Sequence, residues 1–147
     1  GFMPIVVRAV EQNEYDEWVS GKKQAAFELA QLTEKDWSVE ELLANGESVY
    51  VKNCAACHQV NGQGIPGIFP ALAGSEIVLN DKPRNVEILM EGVQGAAMQS
   101  FANQLSEVDI ASVITYTRKA WGNDAKGDGE VVLPKEILEY KNNNKRS

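Results

Sequence analysis

The chain is poor in the residues that bind metals and cross-link folds: its 147 residues hold two cysteines and one histidine. With only three such residues, a closed zinc site of four Cys and His ligands cannot be assembled, nor can a disulfide-rich scaffold. Aromatics make up 7% of the chain, so aliphatic residues must supply most of the core. Fourteen Lys and Arg face 21 Asp and Glu, a formal net charge of −7. Phosphate binding needs a basic surface, so nucleic acid is excluded as a partner and basic partners are favoured. No apolar run is long enough to span a bilayer, no signal-peptide pattern stands at the start, and nothing repeats internally. The remaining composition, 44% hydrophobic and 24% charged, suits one compact domain with tails.

Four stretches differ in character. Residues 1–10, opening Gly1-Phe2-Met3-Pro4-Ile5-Val6-Val7, read as the end of a β-strand entered mid-stream, as in a fragment of a larger protein. Residues 11–38 are polar and acidic, with a short helix around Glu14–Val19 and otherwise a linker. Residues 39–121 carry the regular apolar patterning, and 122–147 read as an extended or disordered polar tail. Within the third stretch helices are expected. Ser38 with Glu41 forms a capping box ahead of Leu42, Leu43, Gly46, Val49 and Tyr50. A second helix starts near Pro83 and stops at Gly92; a third starts at Ser106, with Asp109 three residues on, and runs to Trp121.

All three scarce residues fall within one five-residue segment, Cys54-Ala55-Ala56-Cys57-His58. C-x-x-C-H is the attachment pattern of a c-type haem. Two thiols add across the porphyrin vinyl groups, and the adjacent imidazole reaches the iron from below. A thiol–disulfide centre would follow a buried strand, whereas Asn45–Asn53 has a helical pattern. An inert surface cysteine pair is the remaining alternative.

A second axial ligand must come from Met3, Met90 or Met98. Met90 shares a helical face with Val86 and reads as core; Met3 lies in the opening strand. Met98 follows Gly92 and Gly95-Ala96-Ala97 in a break between helices, about forty residues beyond His58, and is the expected ligand. Ile65, Ile68, Phe69, Leu72, Leu89, Phe101 and Leu105 are the available apolar wall. Pro66 is the candidate for setting a carbonyl against the other His58 nitrogen, with Pro70 left to a turn, and Arg84 the candidate partner of a haem propionate. Gly46, one helical turn before Tyr50, leaves room for close approach of the helix bearing Ile114 and Tyr116.

Taken together, Gly46, Tyr50, Cys54–His58, the loop Gly62–Leu72, Met98 and the helix Leu105–Tyr116 make residues 40–121 resemble a class I monohaem cytochrome c. The resemblance implies an all-α fold of three to five helices wrapped around one covalently bound haem, working as a single-electron carrier. Gly1–Val7 in turn resembles the final strand of the dinuclear-copper domain of cytochrome c oxidase subunit II. Glu14–Trp18 and Trp121-Gly122-Asn123 are similar to segments of subunits that carry a cytochrome c domain fused after that copper domain. By this match Met3 is a copper ligand in the full-length parent only; the histidine and cysteines of the copper site are absent here. The implied partners are the copper domain and catalytic subunit I of the oxidase, together with a donor cytochrome or quinol-oxidising complex. The implied place is the periplasm or the outer face of the bacterial inner membrane, with membrane attachment only through the parent. A free-standing or dehydrogenase-attached cytochrome and a haem-based gas-binding module are the alternatives.

Overall fold

The computed structural model describes residues 5–144. These form seven α-helices: α1 Gln12–Glu34, α2 Val39–Asn53, α3 Ala55–His58, α4 Glu76–Asn80, α5 Lys82–Glu91, α6 Glu107–Lys119 and α7 Pro134–Asn144. Among the described residues there is no strand, only an isolated bridge between Ile65 and Phe69. The chain divides into two units, Gly1–Leu32 and Thr33–Ser147.

The first unit departs from the sequence expectation twice. Met3 lies outside the described residues, and Ile5, Val6 and Val7 stay exposed without regular structure. A strand needs a neighbour to pair with, and this segment has none among the described residues. The expected linker is instead the long helix α1. Its second half, Gln24-Ala25-Ala26-Phe27-Glu28-Leu29-Ala30, is made largely of strong helix formers, and Gln24 donates to Glu28 at 2.9 Å. Gly21 costs the helix only about 1 kcal/mol.

In the second unit α2 and α6 cross at the centre. Both begin with a complete capping box, Ser38 with Glu41 and Ser106 with Asp109. The crossing is close because of Gly46: a Cβ there would lie 2.1 Å from Ser112 O and 2.7 Å from Tyr116 Cβ. Tyr50 and Val49 pack there against Val113, and the rings of Tyr50 and Tyr116 stand 5.5 Å apart. Met90 is buried beside Val86, Ile110 and Ile114.

The polar tail is the third departure. Past Trp121 the chain returns over α6: Val132 and Ile137 are fully buried in the Met90 cluster. Pro134 opens α7, and Glu136 accepts from the Leu133 N–H at 2.7 Å, closing the first turn. Arg118, 3% exposed, fastens this return. Its guanidinium donates to Val78 O, Leu79 O, Glu130 O and the Asp128 carboxylate.

Candidate functional site

Helix α2 stops at Asn53, and Cys54 caps both its end and the start of the single turn α3. The Cys57 and His58 N–H groups both donate to Cys54 O, at 3.1 and 2.9 Å. That turn brings the two thiols and the imidazole to the wall of one cavity. Gln59 then reverses the chain at φ +62, steadied by the Tyr50 hydroxyl donating to Gln59 O at 2.5 Å. Burial first, then Cys54 and Tyr116, raises the Tyr50 pKa, so it stays a neutral donor.

The glycine-rich loop now closes under the histidine. The Gly64 N–H donates to His58 O at 2.9 Å, and a Cβ on Gly64 would sit 2.3 Å from Phe69 O and 2.5 Å from Pro70 O. This tight packing places Pro70 O 2.9 Å from His58 Nδ1. The expected carbonyl was that of Pro66. Pro66 instead lies exposed in the turn spanned by the Ile65–Phe69 bridge and does not line the cavity. With Nδ1 donating to Pro70 O, Nε2 is left as the free lone pair.

The opposite part of the lining comes from the segment after α5. Gly92, φ +76, ends the helix where a Cβ would meet Met98 O and Ser100 N, each at 2.8 Å. The Val93 N–H donates to Met98 O, and the Phe101 N–H to Leu89 O. Met98 thereby joins Cys54, Cys57 and His58 around a single cavity of about 370 Å³. Of the expected apolar wall, Ile68, Phe69, Leu72, Leu89, Phe101 and Leu105 line it and Ile65 does not. Arg84 does not: it is exposed and paired with Glu87 at 2.7 Å, one turn along α5. No Lys or Arg lines the cavity.

One buried polar group on the wall was missed by the sequence reading. Asn85 is 6% exposed, lines the cavity, and its Nδ2 has no partner. Its signal was an asparagine beside Val86 on the apolar side of a short amphipathic helix.

The Cys54 thiol is pushed up to about 11, by burial first and then by Cys57. Reactive C-x-x-C thiols are shifted the other way, toward thiolate. A thiol–disulfide centre is therefore a poor reading of this geometry, and thiols facing an apolar cavity suit attachment of a flat apolar group.

Comparison with known families gives the same direction. The family described as cytochrome c oxidase, cbb3-type, subunit III, matches residues 41–116, about half the chain. The chain belongs to the cbb3-type cytochrome c family. This cytochrome c domain is 41% identical over 100 residues to cytochrome c-552 of Thermus thermophilus, covering 58% of the chain and 75% of that protein. It is 37% identical over 92 residues to the cytochrome c subunit of a quinone alcohol dehydrogenase from Gluconobacter oxydans, 56% of the chain but only 19% of that subunit. A cbb3-type oxidase subunit CcoP of Azospirillum brasilense is 31% identical over 83 residues, 52% of the chain and 28% of the subunit.

The helical architecture is that of a class I cytochrome c, and the family implies covalently bound haem c. The cavity fits that group by its donor set. It offers two thiols, an imidazole with Nε2 free, a thioether and a largely apolar wall, within the roughly 300–1,000 Å³ range of cofactor pockets. Asn85 adds a buried, unpaired donor to that wall. The cytochrome c domain is an electron carrier. Among its described residues no helix is long and apolar enough to cross a membrane.

Proposed function

We propose that this cytochrome c domain is a closed single-electron relay, with Cys54 and Cys57 as thioether anchors and His58 Nε2 and Met98 Sδ as axial ligands. The observation that carries the reading is the single apolar cavity lined by all four residues. When bound, haem c supplies a one-electron couple at iron. The chain's own residues set the terms of that couple. Pro70 O fixes the His58 tautomer and ring orientation. A thioether opposite an imidazole favours the reduced state and suits electron transfer. Phe69, Leu72, Leu89 and Phe101 exclude water, which lowers reorganisation on each transfer. The unpartnered Asn85 amide would supply a donor to a haem propionate, the lining among the described residues holding no Lys or Arg.

The wider role follows from the opening segment. In the longer protein this domain stands after the copper domain of an oxidase subunit II, on the periplasmic side of the membrane, with Met3 a copper ligand of the parent. It takes electrons from a donor cytochrome or quinol-oxidising complex and passes them to that copper centre. Oxygen is then reduced in catalytic subunit I. The likeness of Gly1–Val7 to the copper-domain strand supports this, as does a relative within a cbb3-type oxidase. The likeness to quinone-dehydrogenase cytochrome subunits favours a second reading, in which the domain drains a dehydrogenase.

Visible and near-infrared spectra of the haem-loaded protein test the site. A methionine–iron charge-transfer band in the ferric protein, absent in Met98→Ala, is the expected result. Tight carbon monoxide binding by the unmutated ferrous protein refutes the closed relay and favours a gas-binding module. For the wider role, rapid electron transfer from this haem to the copper centre in the full-length protein is expected; its absence favours the dehydrogenase reading.

A further inference from the structure

The segment that carries Met98 runs from Gly92 to Ser106, between α5 and α6, and α7 grips both of its ends. On one side, the Tyr140 hydroxyl donates to the carboxylate of Glu91, the last residue of α5, and Asn144 Nδ2 approaches the same oxygen at 3.4 Å. On the other, Lys141 Nζ pairs at 2.8 Å with Glu107, the first residue of α6; the two side chains are 18% and 13% exposed. Lys82, at the start of α5, holds Glu136 at 3.0 Å and so fixes the beginning of α7 as well. Ile137 is buried against α5 and α6 between these grips. All of α7 lies beyond residue 116, where the family match ends.

We propose that α7 is a staple that keeps the methionine segment closed over the cavity, with Tyr140 and Lys141 as positioning residues for Met98. This rests on the reading of Met98 as an iron ligand. Within the segment the Val93 N–H donates to Met98 O; Ser100 Oγ to Met90 O and Phe101 N–H to Leu89 O tie it to the last turn of α5. Withdrawing Met98 from the cavity loosens that turn first. Helix ends fray at little cost unless something outside the helix holds them. Glu91 is the last residue of that turn, and Tyr140 holds its carboxylate. Glu107 does the same service at the far end, so the segment has two fixed posts.

Exogenous imidazole competes with Met98 for ferric iron, and its apparent affinity scales with the fraction of protein in which the methionine is off. In the haem-loaded full chain, Tyr140→Phe/Lys141→Met is expected to bind imidazole about thirty-fold more tightly, or roughly 2 kcal/mol shared between the two contacts removed. Far-UV circular dichroism under the same conditions should be unchanged. The single variants should each show part of the effect, and they carry the test if the double variant folds poorly. Glu91→Gln, which still offers an oxygen to Tyr140, should stay near the unmutated value. Unmutated affinity in the double variant, or in both single variants, overturns the staple. Met98→Ala separates the two readings: if it binds imidazole no better than the unmutated protein and the near-infrared band is missing throughout, Met98 is not a ligand and both fall.

Discussion

Replacing Gly46 with alanine tests the packing that sets α2, and with it Cys54, against α6. The new Cβ would lie 2.1 Å from Ser112 O, 2.7 Å from Ser112 C and 2.7 Å from Tyr116 Cβ. Ordinary contact begins at 3.4 Å, so the helices must part by about 1.3 Å. Two of the three neighbours are backbone atoms of a helix and cannot rotate aside. Overpacking of this kind costs about 1–3 kcal/mol or more, against about 1 kcal/mol gained in helix propensity. The backbone clash puts the cost at the upper end, for a net loss of about 2 kcal/mol and a fall in Tm of roughly 10 °C. The separation also pulls Tyr50 away from Tyr116 and Trp121, whose ring centres stand 5.5 and 5.1 Å from it. Guanidinium titration followed in parallel by far-UV circular dichroism and haem absorbance reads the loss. Gly21→Ala is the control: nothing lies within 4 Å of that Cβ, so the same substitution should raise the helicity of α1. A midpoint for Gly46→Ala at or above the unmutated value would refute the reasoning.

Gly64→Ala should disturb His58 because its Cβ collides with the Phe69 and Pro70 carbonyls, whereas Pro70→Ala keeps the accepting carbonyl; visible spectra should change in the first and hardly in the second. Arg118→Met removes the guanidinium donor from the Val78 and Glu130 carbonyls, leaves Leu79 O only the Asp128 N–H, and should cost about 3 kcal/mol in chemical denaturation. Asp128 is held below the usual carboxylate range by the hydrogen bond from Arg118 and then by the Glu130 N–H. Its folded value lies below its unfolded one, so its contribution is present above about pH 4 and lost as pH falls further. Asp128→Asn should flatten the acid limb of a Tm-against-pH curve. In Asn85→Leu a propionate loses a donor to its charged form, so its pKa should rise, by up to about one unit, and the inflection in reduction potential against pH should move up with it.

What was legible in the sequence shares one property: the cause is local. Ser38 with Glu41 and Ser106 with Asp109 place helix starts because a capping box is closed by neighbours in the chain. Gly46 was readable as a close approach because a missing side chain one turn from Tyr50 has few other uses. Met98 was reached by elimination among three methionines, and the cavity it lines does hold Cys54, Cys57 and His58. Two failures turn on short-range geometry that pattern does not resolve. Pro70 rather than Pro66 meets His58 because the Ile65–Phe69 bridge folds the three residues between outward, which no propensity encodes. Arg84 stays outside because Glu87, one turn on, meets it first. The tail was misread for the opposite reason: its asparagines and glycines suggested disorder, yet Val132, Ile137 and Tyr140 find an apolar face on α5 and α6 that is only present once those helices pack.

That last failure bears on function. The segment that builds the cavity lies within the family match, and a reader of the motif alone would stop at Trp121. The residues that fasten the methionine segment in the proposed staple lie beyond it, and their contacts reach far along the chain: Lys82 to Glu136, Tyr140 to Glu91 and Lys141 to Glu107, with Arg118 on Val78 securing the return. Met98, as the proposed second ligand, must stay in place in both redox states, and the Ser100 and Phe101 hydrogen bonds tie its segment to α5. Holding that segment from outside leaves Val93, Ala96 and Ala97 free to stay small where they line the cavity. The division of labour therefore assigns ligand identity to the matched core and ligand retention to α7. On this reading, changes confined to α7 alter how often the iron is open while leaving its ligands the same.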